Sequence, residues 1–207
     1  MNVSLNTLLA ATLLIGSASA FAASSVDLTV KGMITPSACT PALSNSGSVD
    51  YGKISAKDLN VDQVTPLTEQ TVQLTVTCDA ATLMALDADD NRPGSNYGGD
   101  ITEFGLGLIN GTQKLGAMTL SLNTPVADGV AGRPITSVDG GVTWVVARNL
   151  TPDNLISVAD TTVDAPIPVQ VLTSDLTVSP KIAPSSQLTL TNEVAIDGSV
   201  TVTVRYL

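Results

Sequence analysis

The chain contains no histidine, so a serine–histidine–acid triad, histidine-ligated zinc and a histidine general base are excluded at the outset. Its two thiols, Cys39 and Cys78, could form a reactive pair or close a disulfide. Redox pairs hold their thiols two residues apart in Cys-x-x-Cys, and this wide spacing does not. Given the export signal described below, an intramolecular structural disulfide is the economical assignment. Closing a loop of that length stabilises a fold by about 4 kcal/mol through chain entropy. No Ser-x-x-Lys motif offers a substitute nucleophile.

Oxygen ligands are more abundant. Asp87-Ala88-Asp89-Asp90-Asn91 sets acceptors at alternate positions, as the opening of a calcium loop does. Arg92 then stands where the sharp turn needs glycine, and Gly98 where a bidentate glutamate would close the site, so a solvated acidic loop is the better assignment. The 19 Asp and Glu are dispersed, and spacing along strands selects no glycosidase pair among them. Trp144, the only tryptophan, could serve as a platform for the apolar face of a sugar. Its phase with Val142 and Val146 favours a place in the core instead. The expectation is a non-enzyme with no metal and no cofactor.

Strands must do the positioning. Val72, Leu74, Val76 and Cys78 alternate with Gln73, Thr75 and Thr77, which puts Cys78 on a buried face. The same period runs through Val26/Leu28/Val30, Phe104/Leu106/Leu108, Met118/Leu120/Leu122, Val142/Trp144/Val146, Ile167/Val169/Val171 and Val200/Val202/Val204/Tyr206. Between the runs, Asn110-Gly111, Asp128-Gly129, Asp139-Gly140 and Asp197-Gly198 tolerate the positive φ of tight turns. After Ala22 no segment shows a persuasive 3.6-residue period, and the abundant Thr, Val, Gly and Pro disfavour helix interiors. The expected fold is all-β, a sandwich of antiparallel strands. Residues 88–100 are expected to form the longest surface loop.

Met1 to Ala22 carries no charged side chain, and Leu8, Leu9, Leu13, Leu14 and Ile15 make a short apolar core. Ala18-Ser19-Ala20 and Ala20-Phe21-Ala22 both fit a small-x-small cleavage pattern, and the second is preferred. The expected organisation is a signal peptide over 1–22 and one domain over 23–207. No later segment approaches the roughly 18 apolar residues of a spanning helix. A net charge of −10, with nine Lys and Arg scattered singly, leaves no basic patch for nucleic acid. The acidity reads as solubility.

Several features then line up in chain order: Val26-Asp27-Leu28-Thr29-Val30-Lys31-Gly32 followed by Ala38-Cys39, Gln73-Leu74-Thr75-Val76-Thr77-Cys78-Asp79, and a terminal alternating strand with penultimate Tyr206. Together they resemble a chaperone–usher pilin. Ile34-Thr35-Pro36-Ser37-Ala38-Cys39-Thr40-Pro41, Val49-Asp50-Tyr51-Gly52 and Asp90-Asn91-Arg92 resemble more closely the bacterial family called domain of unknown function 1120.

The pilin resemblance implies an immunoglobulin-like sandwich that lacks its last strand and keeps a hydrophobic groove beside an unpaired edge. A periplasmic pilus chaperone fills such a groove, and at the outer-membrane usher the N-terminal extension of a neighbouring subunit replaces it. Carried onto this chain, Val200, Val202, Val204 and Tyr206 form the strand that pairs with the chaperone, and basic residues of the chaperone anchor the Leu207 carboxylate. Val26, Leu28, Val30 and Gly32 form a donor or first strand. The implied role is a structural or accessory fimbrial subunit supporting cell adhesion, passing through the periplasm to the cell surface. Only residues 23–31 precede Gly32, which implies a short donor strand or a terminal or accessory subunit. The alternative is a self-complete exported sandwich that binds a carbohydrate or protein at loops such as 88–100.

Overall fold

The computed structural model describes Thr29 and residues 38–207. The expected signal peptide and the positions Val26, Leu28, Val30 and Gly32 lie outside the described residues. The principal strands are β1 (Cys39–Leu43), β2 (Gln70–Thr82), β3 (Met84–Asp90), β4 (Gly116–Ala127), β5 (Arg133–Ser137), β6 (Val145–Val146), β7 (Asn149–Leu150), β8 (Leu155–Ala159), β9 (Val169–Ile182) and β10 (Val200–Tyr206). They form two sheets, ordered β1-β2-β9-β4-β7 and β6-β5-β8-β3-β10, with every ladder between them antiparallel. The only helices among the described residues are short 3₁₀ turns, and none is long and apolar enough to cross a membrane. The fold is the expected all-β sandwich.

Period two explains the core. In β2, Val72, Leu74, Val76 and Cys78 are buried and their polar neighbours point outward. Met118, Leu120 and Leu122 of β4 and Leu172, Leu176 and Val178 of β9 join them, and Leu86, Ile156 and Val158 meet them from the other sheet. Each fully buried Leu or Ile contributes roughly 2 kcal/mol by leaving water. Cys39 and Cys78 face each other in the β1–β2 ladder and are joined by a disulfide.

The structure departs from the sequence expectation where side chains redirect the backbone. Val142, Trp144 and Val146 do not share a strand, and Val142 is 80% exposed. The Asp139 carboxylate accepts from the Ser137 hydroxyl, the Val142 and Thr143 amides and the Thr143 hydroxyl, which winds residues 137–143 into a turn. Trp144 is half-buried and donates from Nε1 to the Gly141 carbonyl at 3.1 Å. In the run Ile167/Val169/Val171 the alternation breaks at a register shift between Val169 and Val171. There Asp128 accepts from the Gln170 and Val171 amides, and the buried phase moves to Leu172. Asp128-Gly129 does form the expected two-residue hairpin, both residues at positive φ (50° and 82°) between Ala127 and Val130.

Candidate functional site

The C-terminal strand β10 is an edge. It pairs with β3 on one side, from Val200 opposite Asp90 to Tyr206 opposite Met84, and with no strand on the other among the described residues. Thr201, Thr203 and Arg205 are exposed while Val200, Val202 and Val204 are only half-buried, although all three valines pack against the core. The expected alternation is present. What differs from β2 is the cover over the inward face.

Residues 90–92 hold this edge strand in place. The Asn91 amide donates to the Ser199 carbonyl at 3.0 Å, and Asn91 Nδ2 donates to the hydroxyls of Ser199 and Thr201. Arg92 grips Asp197 with two parallel bonds, Nε to Oδ2 at 2.8 Å and Nη2 to Oδ1 at 2.7 Å. This ion pair holds the Asp197 carboxyl below its ordinary range, the hydrogen bond being the larger cause and the guanidinium charge the lesser. Asp90 accepts from the Arg92 and Gly105 amides. Thus Asp-Asn-Arg organises the base of β10 through internal bonds. The expected loop over 88–100 begins inside β3, with Ala88 fully buried, and it also buries Ser95 and Asn96. From Asn91 onward it is irregular and largely exposed, as expected. Gly198 packs closely beside it: a Cβ there would lie 2.8 Å from Leu106 Cδ2, so that side chain would have to shift.

Across from β10 lies the other long edge, β1. At one end the Cys39 amide donates to the Tyr206 hydroxyl at 2.9 Å. Further along the two strands diverge around an apolar cleft of about 240 Å³, with Leu43 on one side, Val200 and Val202 on the other, and Val72, Leu120 and Leu176 at its base. The cleft adjoins a larger one of about 660 Å³ between residues 49–56 and 190–196; Val49, Tyr51 and Ile196 line both. Tyr51 Oη is buried and finds no hydrogen-bond partner among the described residues. Burial first, and the charge of Glu69 second, raise its hydroxyl above the ordinary phenol range. Lys53 and Glu193, from opposite walls, meet at 2.6 Å with both side chains 86% exposed.

Of the predicted site residues, Cys39 and Cys78 are brought together. Val200, Val202, Val204 and Tyr206 form one strand, and Leu207 follows it, its amide donating to the Leu83 carbonyl. Sequence reasoning missed Arg92 and Asn91 as clamps, and Tyr51. The motif Asp90-Asn91-Arg92 was visible, but the clamp partners of Asn91 and Arg92 lie more than a hundred positions away. No group of three or more His, Cys, Asp or Glu able to hold a metal occurs among the described residues. Both cysteines are in the disulfide.

Residues 28–104 match the family model described as "Protein of unknown function (DUF1120)". Among curated proteins, the chain is similar to "Protein GltF" of Escherichia coli (strain K12), with 28% identity over 241 aligned residues that cover 95% of each chain. It is similar also to "Uncharacterized protein YhcF" of the same organism, 28% identical over 227 residues, covering 91% of this chain and 93% of the relative.

Proposed function

We propose that this chain is a structural or accessory subunit of a fimbria, carried through the periplasm by a strand-donating chaperone and joined to its neighbours by strand exchange at an outer-membrane usher. One observation carries this reading: β1 and β10, the two long edges of the sandwich, face each other over an apolar cleft, and each has an unpaired side among the described residues. Long edges with half-buried valines are a liability in a free monomer. An added strand would pair with their backbone and set alternate side chains over Val200, Val202 and Val204.

Purification from the periplasm of a fimbriated host tests it. The expected result is a one-to-one complex with a chaperone, lost when Val202→Lys puts a charge into the cleft. A monodisperse, stable monomer whose β10 amides are all protected from hydrogen exchange would overturn it. Deletion of residues 23–30 is expected to leave the sandwich folded and to prevent fibre growth; fibres formed without them would remove these residues as the donor.

A further inference from the structure

The segment that leads into β10 hangs between two posts. Residues 190–196 lie outside any strand and make no backbone–backbone hydrogen bond among the described residues. Leu190 and Val194 rest half-buried on the core, and Glu193 meets Lys53 in an exposed ion pair. After the segment, the Asp197 amide donates to the Leu106 carbonyl at 3.1 Å. Before it, Thr189 is gripped by a hairpin, Leu108–Ile109 paired with Gln113–Lys114, whose turn holds Asn110 and Gly111 at positive φ (50° and 81°). Asn110 Nδ2 donates to the Thr189 carbonyl and to Gln113 Oε1, both at 2.9 Å. Gln113 Oε1 also accepts from the Thr189 amide at 3.0 Å, and its Nε2 donates to Thr189 Oγ1 at 3.1 Å.

We infer that Asn110 is a site of spontaneous deamidation, and that its loss of ammonia unpins residues 190–196. Every other asparagine of the chain precedes a residue with a side chain, whereas Asn110 precedes glycine, and both residues of the turn are exposed. With no Cβ at Gly111, nothing on that residue shields its nitrogen. The Gly111 nitrogen gives up its proton and bonds to Asn110 Cγ; the Cγ–Nδ2 bond breaks, and the proton leaves with the amide group as ammonia. Water then opens the cyclic imide to aspartate or isoaspartate. The aspartate side chain has no donor to offer. Its oxygens stand where Nδ2 stood, against two acceptors, the Thr189 carbonyl and Gln113 Oε1. Gln113 cannot turn its amide to meet them without losing both of its own bonds to Thr189. Isoaspartate adds an atom to the backbone of a turn that the Thr112 amide closes onto the Ile109 carbonyl. Either product removes one post, and with it one wall of the larger cleft is freed.

The test ages the purified chain for weeks in mildly alkaline buffer and follows the masses of its peptides. The expected result is the mass gain of NH2 replaced by OH on the peptide carrying Asn110, before any other asparagine changes. Release of the segment is read by a glutamate-specific protease, because Glu193 lies in it with an exposed side chain. The aged chain and a fresh Asn110→Asp chain are each expected to be cut after Glu193 about tenfold faster than the fresh parent, the fold-change of losing one or two neutral hydrogen bonds. Their melting temperatures are expected to stay close to the parent's, since the post lies outside the core. Asn110→Gly suits the positive φ and has no amide to lose, so ageing is expected to leave its cutting rate unchanged. Asn110 intact at the end of the incubation, or another asparagine changing first, would overturn the inference. So would an Asn110→Asp chain cut at the parent's rate, or cut faster only in step with a fallen melting temperature, which would mean global unfolding.

Discussion

The two flanks of the sandwich are finished in opposite ways. On one, the sheets end in β6 and β7, strands of two residues each, too short to template another chain. Leu150 of β7 is 1% exposed, and the Asp139 turn leads into β6. On the other, the sheets end in β1 and β10, of five and seven residues, with half-buried valines facing a cleft. The same physics of edges acts on both. One flank is blunted, and on the other a disulfide ties down one edge strand and the Asn91–Arg92 clamp the other.

Breaking the disulfide should give the largest effect. The double substitution Cys39→Ala, Cys78→Ala is expected to cost about 4 kcal/mol in urea unfolding, because it frees β1 from β2. A loss no larger than that of a surface mutation would mean that the long flank does not depend on this link. The next test compares the flanks directly. Leu150→Ala at the closed side is expected to lose about 3 kcal/mol, and Val202→Ala at the open side about 1 kcal/mol, since Val202 is already partly in water. Equal losses would show that the open flank is as tightly sealed as the other.

Acid sharpens the contrast through the carboxylates that shape each flank. Hydrogen bonds from Ser137 and Thr143 hold Asp139 well below the ordinary carboxylate range, and the hydrogen bond from Arg92 lowers Asp197. A depressed pKa adds stability above the unfolded value and loses it as pH falls through the folded one. Thermal unfolding followed from pH about 5 to about 2 is therefore expected to show falling stability, beginning near the ordinary Asp value of about 4. Asp139→Asn and Asp197→Asn should each flatten that limb. The smallest effect is expected from Lys53→Ala: the Lys53–Glu193 pair is 86% exposed on both sides, so the melting temperature should not measurably change.

How much of this could be read beforehand follows from the range of each interaction. β2 and β10 were legible because strict alternation over seven or more residues has one meaning, and the disulfide was legible because the chain has two cysteines behind an expected export signal. The run around Trp144 misled because Asp139, five residues earlier, takes backbone amides that a strand would need. Val171 misled because one bulge inverts every later side chain. Residues 88–100 look like a loop from their Asp, Asn, Pro and Gly, and from Asn91 onward they are one; only the contacts with Ser199, Thr201 and Asp197 show Asn91 and Arg92 to be a brace. The cleft itself lies where two non-neighbouring edges face each other, and no local pattern encodes that.

The bonds from Asn91 to Ser199 and Thr201 carry one more consequence. A slip of β10 by a single position would turn Thr201, Thr203 and Arg205 inward and at the same time pull both hydroxyls away from the carboxamide. The asparagine therefore works as a gauge. It ties the frame of the C-terminal strand to the one that sets Val200, Val202 and Val204 against the core.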